Sequence, residues 1–326
     1  MMRYRCYIQI LQVSKLVDSP VPFIRHIDVI IYKKAHVLNS CTNLDEFEGV
    51  VTHYAISRLC EVIATLREKK DGAAVSVVTT FFENGKLFDE WRPLLRILHL
   101  GGGGDPFAQR GASLCLAYIL LVGCPSQSGG SEIIEYSSVK EPLQALLSWI
   151  SSQLQSSVGA SVSLVTPTLT ALVNCREARY MFSSSGGIGY IARHLRKKQS
   201  GKRKKEVGVS VQQLYELCFV IWAMTYECNQ SYSIRSSFAR DGAVKSLCDL
   251  VKIAPREKVV RVALSALRNL AECKTDISDP PGRKVIDGST FLNDMISCGL
   301  MKQIDLMKER KWSDEDIKAG EFLVIS

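Results

Sequence analysis

The stretch from Leu214 to Cys228 reads LYELCFVIWAMTYEC and indicates the fold class. Its apolar residues recur at spacings of three and four, which is the pattern of a helix that buries one face. The stretch from Val259 to Ala271, VVRVALSALRNLA, has the same pattern. Each stretch also carries apolar residues on a second face, among them Phe219 and Trp222 in the first. We therefore predict two helices that are enclosed on more than one side, in the interior of a stack.

Helical patterns fill most of the remaining chain. From about residue 46 onward the apolar residues follow helical spacings, and no segment shows the alternation of a half-buried strand. These patterns predict an all-α fold. The further predicted helices cover residues 46–69, 88–98, 107–122, 139–156, 163–175, 244–253 and 301–310.

The helical segments repeat along the chain. The stretches TALVN at 170–174, WAMTY at 222–226 and SALRN at 265–269 share a pattern, and each is followed by a break at a glycine. These glycines are Gly186, Gly242 and Gly299. A large apolar residue precedes each glycine, and the next segment starts with apolar residues, as at many helix ends. A period of about 43 residues indicates a solenoid of the armadillo or HEAT type.

The repeat also predicts the domain organisation. We expect a right-handed armadillo/HEAT-like helical solenoid over residues 46–318, in which each unit buries its apolar face against its neighbours. Two insertions lengthen the period, a basic loop at 197–209 and a second loop at 276–288. Residues 1–45 are an unassigned N-terminal extension, and residues 319–326 form a short tail. Such a stack offers a partner a surface rather than a pocket.

The composition is that of an ordinary globular protein. The chain has 326 residues, of which 46% are hydrophobic and 23% are charged, so disorder and fibrous repeats are excluded. Most of the net charge of +8 comes from the basic stretch at 196–205, a pattern typical of a solvated loop. Contact with an acidic partner or a membrane surface stays open, as does nuclear import or RNA binding, although aromatic residues for stacking bases are missing from this stretch.

Motifs of catalysis and cofactor binding are missing from the sequence. No glycine stretch has the residues of a phosphate-binding loop, and the five histidines have no partner at metal-ligand or triad spacing. We therefore expect no enzyme activity, no catalytic residues, no cofactor and no metal. The eleven cysteines stand singly, without a Cys-x-x-Cys pair, which is typical of reduced thiols in the core of a cytosolic protein.

Two places in the chain are candidates for partner contact. Arg268 and Asn269 lie on a helix that would line the concave groove of a solenoid, where an asparagine amide can hold a partner's backbone. The alternative for Asn269 is a capping or an inter-helix hydrogen bond. Trp312 precedes a predicted helix cap at Ser313, and it either packs on the preceding helix or anchors a partner.

Three segments resemble the H subunit of the vacuolar-type proton ATPase (V-ATPase). They are LYELCFVIW at 214–222, the run REKVVRV at 256–262 leading into LRNL at 267–270, and KWSDED at 311–316. Their order and spacing also fit that family, and the likeness spans roughly residues 80–318. This part is similar to the family's N-terminal armadillo/HEAT-like domain. The family's C-terminal domain is expected to be missing after Lys318.

The resemblance implies a function. It implies a non-catalytic regulatory subunit of the soluble catalytic sector, needed for coupling ATP hydrolysis to proton transport and for organelle acidification. The implied partners are the E and G subunits of the peripheral stalk and the catalytic sector, with no nucleic acid and with membrane contact only through the complex. The implied location is cytoplasmic, on the cytosolic face of vacuolar and endosomal membranes. The candidate partner-binding residues are then Lys258, Arg261, Arg268, Asn269, Lys311 and Trp312.

An importin-like adaptor for basic peptides is the alternative function. Such a groove needs a ladder of tryptophan and asparagine four residues apart on successive repeats. Trp222 is followed at that spacing by Tyr226, and Asn269 is preceded at that spacing by Ser265. The sequence therefore favours the regulatory subunit over the peptide-binding adaptor.

Overall fold

The structure of the protein is a computed structural model. It describes residues 82–83, 86–87, 95, 98, 106–122, 124, 136–156, 159–196, 210–254, 256–275, 279 and 281–308. The extension at 1–45, the helix predicted over 46–69, the basic loop at 197–209 and the tail at 319–326 lie outside these residues. The chain divides into two compact units, Met1–Leu146 and Leu147–Ser326.

The first unit contains a short strand pair and a long helix. Strand β1 (Phe82–Glu83) pairs antiparallel with strand β2 (Lys86–Leu87). Helix α1 (Pro106–Val122) begins at a proline, because proline at the first helical position gives up no intrahelical hydrogen bond. Helix α2 (Tyr136–Gln155) starts in the first unit and ends in the second. In α1 the residues at 112, 115, 116 and 119 are fully buried, as helical periodicity predicts.

The second unit is a series of short helices. Their bounds are α3 (Gly159–Leu172), α4 (Arg176–Ser184), α5 (Gly187–Arg196), α6 (Val211–Thr225), α7 (Tyr232–Arg240), α8 (Ala243–Ile253), α9 (Glu257–Ala271), α10 (Gly288–Ser297) and α11 (Leu300–Lys308). The predicted helix at 163–175 thus starts earlier and ends at Leu172, because Cys175 is extended backbone before α4. The all-α fold class is confirmed, since the described strands are limited to β1 and β2.

The predicted glycine breaks are confirmed by the backbone. Gly186, Gly242 and Gly299 have φ angles of 82°, 72° and 71°, in the left-handed region that glycine adopts without steric cost. Each glycine separates two helices of a repeat. The helices are α4 and α5 in the first repeat, α7 and α8 in the second, and α10 and α11 in the third.

The repeats stack helix on helix. We name the helices before each glycine the A helices (α4, α7, α10), those after it the B helices (α5, α8, α11), and the longer helices α3, α6 and α9 the C helices. Helix α6 contacts α3 and α9, α8 contacts α5 and α11, and α4 contacts α7. Equivalent helices of neighbouring repeats therefore pack against each other, which is the architecture of a helical solenoid.

Large apolar side chains fill equivalent core positions. Phe182, Phe238 and Met295 precede the three glycines and are all fully buried. The first apolar face of α6, which includes Leu214 and Ile221, is also fully buried. The described cysteines of the second unit are free thiols, and burial raises the pKa of the Cys218 thiol far above its ordinary value. Among the described helices, we find no segment with the length and apolar character needed to cross a membrane.

An arginine at the start of α4 joins two repeats. Arg179 is the fourth residue of α4, and its Nη1 atom donates to the carbonyl of Val173 at 2.6 Å. Its Nε atom donates to the carboxylate of Glu227 at 3.1 Å, and Arg176 reaches the same carboxylate at 3.2 Å. Glu227 lies in the turn after α6 and is buried. The buried carboxylate is thus held by the arginines of the preceding repeat.

The next repeat has an equivalent contact between an arginine and a carboxylate. Arg235 is the fourth residue of α7, and its Nη1 atom donates to the carbonyl of Cys228 at 2.5 Å. Its Nη2 atom pairs with the carboxylate of Asp279, which follows α9. Arg235 is 0% exposed. We name these two contacts the arginine bridges, and each ties the start of an A helix to the turn that follows the next C helix.

The far ends of the A helices are also joined between repeats. Arg196 at the end of α5 donates to the carbonyl of Asp241 at 3.5 Å, and Lys252 near the end of α8 donates to the carbonyl of Cys298 at 2.8 Å. Both carbonyls belong to the residue just before a break glycine. A cation near the last carbonyls of a helix satisfies them and interacts favourably with the helix dipole.

Candidate partner-binding surface

Four of the six candidate residues lie on the C helix α9, which packs against α6. At one end of these helices, the Nζ atom of Lys258 on α9 lies 3.3 Å from the amide oxygen of Gln212 on α6. At the other end, the Asn269 amide donates to the hydroxyl of Thr225 at 2.8 Å. Because start meets start and end meets end, α6 and α9 run parallel.

Four aromatic residues form a line along α6, the last of them just past its end. Tyr215, Phe219, Trp222 and Tyr226 follow one another at intervals of three and four residues, so they share one face of the helix. The rings of Phe219 and Trp222 lie 5.4 Å apart with a tilt of 49°, and those of Trp222 and Tyr226 lie 5.2 Å apart, edge to face. The first three are half-buried, and Tyr226 is 55% exposed. We name these residues the aromatic stripe.

Helix α9, which packs against α6, carries three cations. Lys258, Arg261 and Arg268 recur at intervals of three and seven residues and define the basic row. The Lys258 ammonium lies 4.8 Å from the centroid of the Tyr215 ring, a cation–π contact. Arg268 donates to Glu272 at 2.7 Å, and since both side chains are about half exposed, this pair contributes only about 0–1 kcal/mol.

The structure separates the six candidate residues. Lys258, Arg261 and Arg268 lie on α9, and Lys258 contacts the aromatic stripe at Tyr215. Asn269 donates its amide to Thr225 of the neighbouring repeat, which is the inter-helix hydrogen bond named as its alternative. Lys311 and Trp312 lie outside the described residues. Partner binding by these residues stays a prediction.

The aromatic stripe differs from the sequence prediction. Phe219 and Trp222 are predicted to lie on a second enclosed face, but both rings are only half-buried. The sequence does contain evidence for this partial exposure, because Tyr215 and Tyr226 share a helix face with Phe219 and Trp222. A tyrosine hydroxyl needs a polar partner or water, so tyrosines at both ends of an apolar line indicate a wet face rather than a core.

A family model and curated relatives match most of this chain. The sequence model described as the H subunit of the V-ATPase matches residues 53–320. The H subunit of the V-type proton ATPase of Dictyostelium discoideum is 24% identical over 282 residues, covering 86% of this chain and 52% of that protein. The probable H subunit of the V-type proton ATPase of Oryza sativa subsp. japonica is 24% identical over 291 residues, covering 86% and 56%. The chain thus spans about half the length of the curated relatives it matches.

Solved structures support the fold. An engineered protein has a TM-score of 0.55 at 13% identity, with 87% of this chain and 92% of that chain covered. A designed armadillo repeat protein has a TM-score of 0.54 at 12% identity, with 87% and 95% covered. At these identities the likeness shows the fold alone, which is that of an armadillo-like helical solenoid.

Proposed function

This chain belongs to the family of V-ATPase H subunits, and on that premise we propose that it is a regulatory subunit of the soluble catalytic sector of the pump. In this role it takes part in coupling ATP hydrolysis to proton transport, and so in organelle acidification. The observation that carries the proposal is the family match over residues 53–320. The chain contributes no catalytic residues of its own in this proposal.

The proposed partners are other subunits of the same enzyme. The chain binds the E and G subunits of the peripheral stalk and contacts the catalytic sector through its helical surface. Its location is cytoplasmic, on the cytosolic face of vacuolar and endosomal membranes, with membrane contact only through the complex. A stack of helix repeats suits this role, because each repeat presents side chains from several helices on one continuous face.

The importin-like alternative has less support. Its groove needs asparagine amides that are available to a bound peptide. Asn174 donates to the carbonyls of its own helix at 3.2 Å and 3.4 Å, and Asn269 donates to Thr225. Both amides are thus used within the fold.

Co-purification tests the proposal. The tagged chain 1–326 is expressed in its source cells, the membranes are solubilised gently, and the bound proteins are identified by mass spectrometry. We expect the E and G stalk subunits and the catalytic subunits. Recovery of import cargo or RNA without pump subunits would contradict the proposal and support the adaptor.

Addition of the purified chain to pumps stripped of their H subunit tests its regulatory role separately. We expect ATP-driven proton transport to increase relative to a buffer control. Unchanged transport by pumps that have bound the chain would limit its role to assembly.

A further inference from the structure

The aromatic stripe has the length and direction of a docked helix. Tyr215 and Tyr226 are eleven residues apart on α6, which corresponds to about 16 Å or three turns along the helix axis. A side chain at each turn therefore presents an aromatic ring to the outside. A partner that runs along α6 can contact all four rings, with its own side chains at matching intervals of three and four residues.

The stripe does not continue across the repeats. The residues equivalent to Trp222 are Thr170 on α3 and Ser265 on α9, by the alignment of the three repeated stretches. An extended peptide that crosses the C helices would therefore meet an aromatic residue on only one of them. The distribution of rings favours an occupant that lies along α6, beside its contact with α9.

The charges at the start of α9 favour an acidic occupant. Arg256 and Lys258 are exposed there, and Arg261, one turn later, is half exposed. The carboxylates nearby in sequence, Glu216 and Glu257, are only half exposed. The charges most open to solvent at this end are thus positive, and a partner with carboxylates here would be complementary.

We infer that the aromatic stripe and the basic row bind an acidic, amphipathic α-helix of a protein partner. The apolar face of that helix packs on Phe219, Trp222 and Tyr226, and its carboxylates lie against Lys258 and Arg261. The identity of the partner rests on the proposed function, according to which the bound helix is a segment of another V-ATPase subunit. The chemistry of the surface is independent of that identity.

Titration calorimetry with designed peptides tests the inference on the full chain. The probe is an amphipathic peptide of about 18 residues built from leucine, alanine and glutamate, with leucines at intervals of three and four. A second peptide has the same composition apart from two central prolines that break the helix. We expect the helical peptide to bind and the broken one to bind at least about tenfold more weakly.

Variants locate the binding on the stripe. Trp222→Ala should weaken binding at least about tenfold, since buried tryptophans dominate interface affinity. Lys258→Glu combined with Arg261→Glu should also weaken it, and should reduce its salt dependence. Lys245→Glu on α8, an exposed lysine in the B helices, is the matched control and should leave binding unchanged. Circular dichroism confirms that each variant is folded.

The outcomes separate the inference from the proposed function. If the helical and the proline-broken peptides bind equally well, the occupant is an extended segment rather than a helix, and the inference is wrong. The chain could instead bind phosphatidylserine vesicles and not the peptide. If Trp222→Ala abolishes that vesicle binding, the surface is a membrane contact and not a protein-binding site. If Lys258→Glu/Arg261→Glu co-purifies with pump subunits as well as wild type, the stripe is not the partner site although the proposed function stands. If wild type recovers no pump subunits but binds the helical peptide, the proposed function fails and the surface chemistry holds.

Discussion

Replacing Asp279 by asparagine removes a charge that faces a fully buried arginine. The Arg235 side chain is 0% exposed, and its Nη1 atom is bonded to the Cys228 carbonyl at 2.5 Å. Its Nη2 atom pairs with Asp279, whereas its Nε atom has no hydrogen-bond partner. The Asp279 carboxylate therefore offsets the desolvation of the guanidinium. Without it, a buried cation keeps one short bond and a distant contact with the Tyr232 ring at 5.9 Å.

The size of the effect follows from this burial. Removing one partner of a buried ion pair costs about 3–5 kcal/mol. The Asp279 side chain is 21% exposed, and an asparagine keeps one acceptor oxygen, so both factors reduce the cost. We expect Asp279→Asn to lower the free energy of unfolding by about 2 kcal/mol, which corresponds to about 6 °C in Tm for a unit of this size.

Urea unfolding followed by tryptophan fluorescence measures this change. Glu272→Gln breaks the exposed pair with Arg268 and is the matched control, with an expected loss below about 0.5 kcal/mol. Asp279→Asn combined with Arg235→Met should recover part of the loss, because an apolar side chain of similar size needs no counter-charge. If Asp279→Asn is as stable as the control, or if the double variant is less stable than Asp279→Asn alone, the carboxylate does not offset the desolvation of Arg235.

Other single changes in the second unit test the repeat contacts by the same urea assay. Gly299→Ala should lower the free energy of unfolding by about 1 kcal/mol. The added Cβ meets no atom within 4 Å, so only the left-handed φ of 71° is unfavourable for alanine. An unchanged stability would contradict this backbone conformation. Phe238→Ala should cost about 3–5 kcal/mol because the ring is fully buried between the helices, whereas a loss below about 1 kcal/mol would show that the ring is not part of the core. Burial raises the pKa of the Cys248 thiol from 9.0 to about 12, so the unfolded chain loses this proton first. The Cys248 thiol alone should then lower the free energy of unfolding between about pH 9 and pH 12 by up to about 1.4 kcal/mol per pH unit. The slope should be smaller in Cys248→Ala, and an equal slope would exclude this thiol as a cause.

The sequence predicts the repeat well because its signals are local. Phe238 and Gly242 are four residues apart, and this pair alone predicts a buried position on a helix and, one turn later, the end of that helix. The same holds for Phe182 and Gly186, so the helix breaks could be aligned before any tertiary contact was known. The fold class follows from these breaks together with the apolar pattern of α6.

The contacts between repeats were harder to predict because their partners are far apart in the chain. Arg179 meets Glu227 and Arg235 meets the carboxylate after α9, and nothing in a helical period selects those acids. A regularity was nevertheless available, since both arginines stand seven residues before a break glycine. A basic residue at the same place in two repeats, flanked by core residues, indicates a buried bridge rather than a solvated face.

The candidate surface shows a different limit. Helical periodicity tells which side chains share a face, but it does not tell which neighbour covers that face. Phe219 and Trp222 are apolar enough for a core and are left half-buried on α6. Only the structure shows that α3, α5 and α9, which contact α6, leave both rings partly exposed.

The arginine bridges have a mechanical consequence. Each bridge holds the start of one A helix, while the cations of α5 and α8 hold the end of the next A helix along the chain. Sliding one repeat past its neighbour would disturb both contacts of an interface together. We therefore expect these repeats to resist sliding more strongly than a small change in the angle between them.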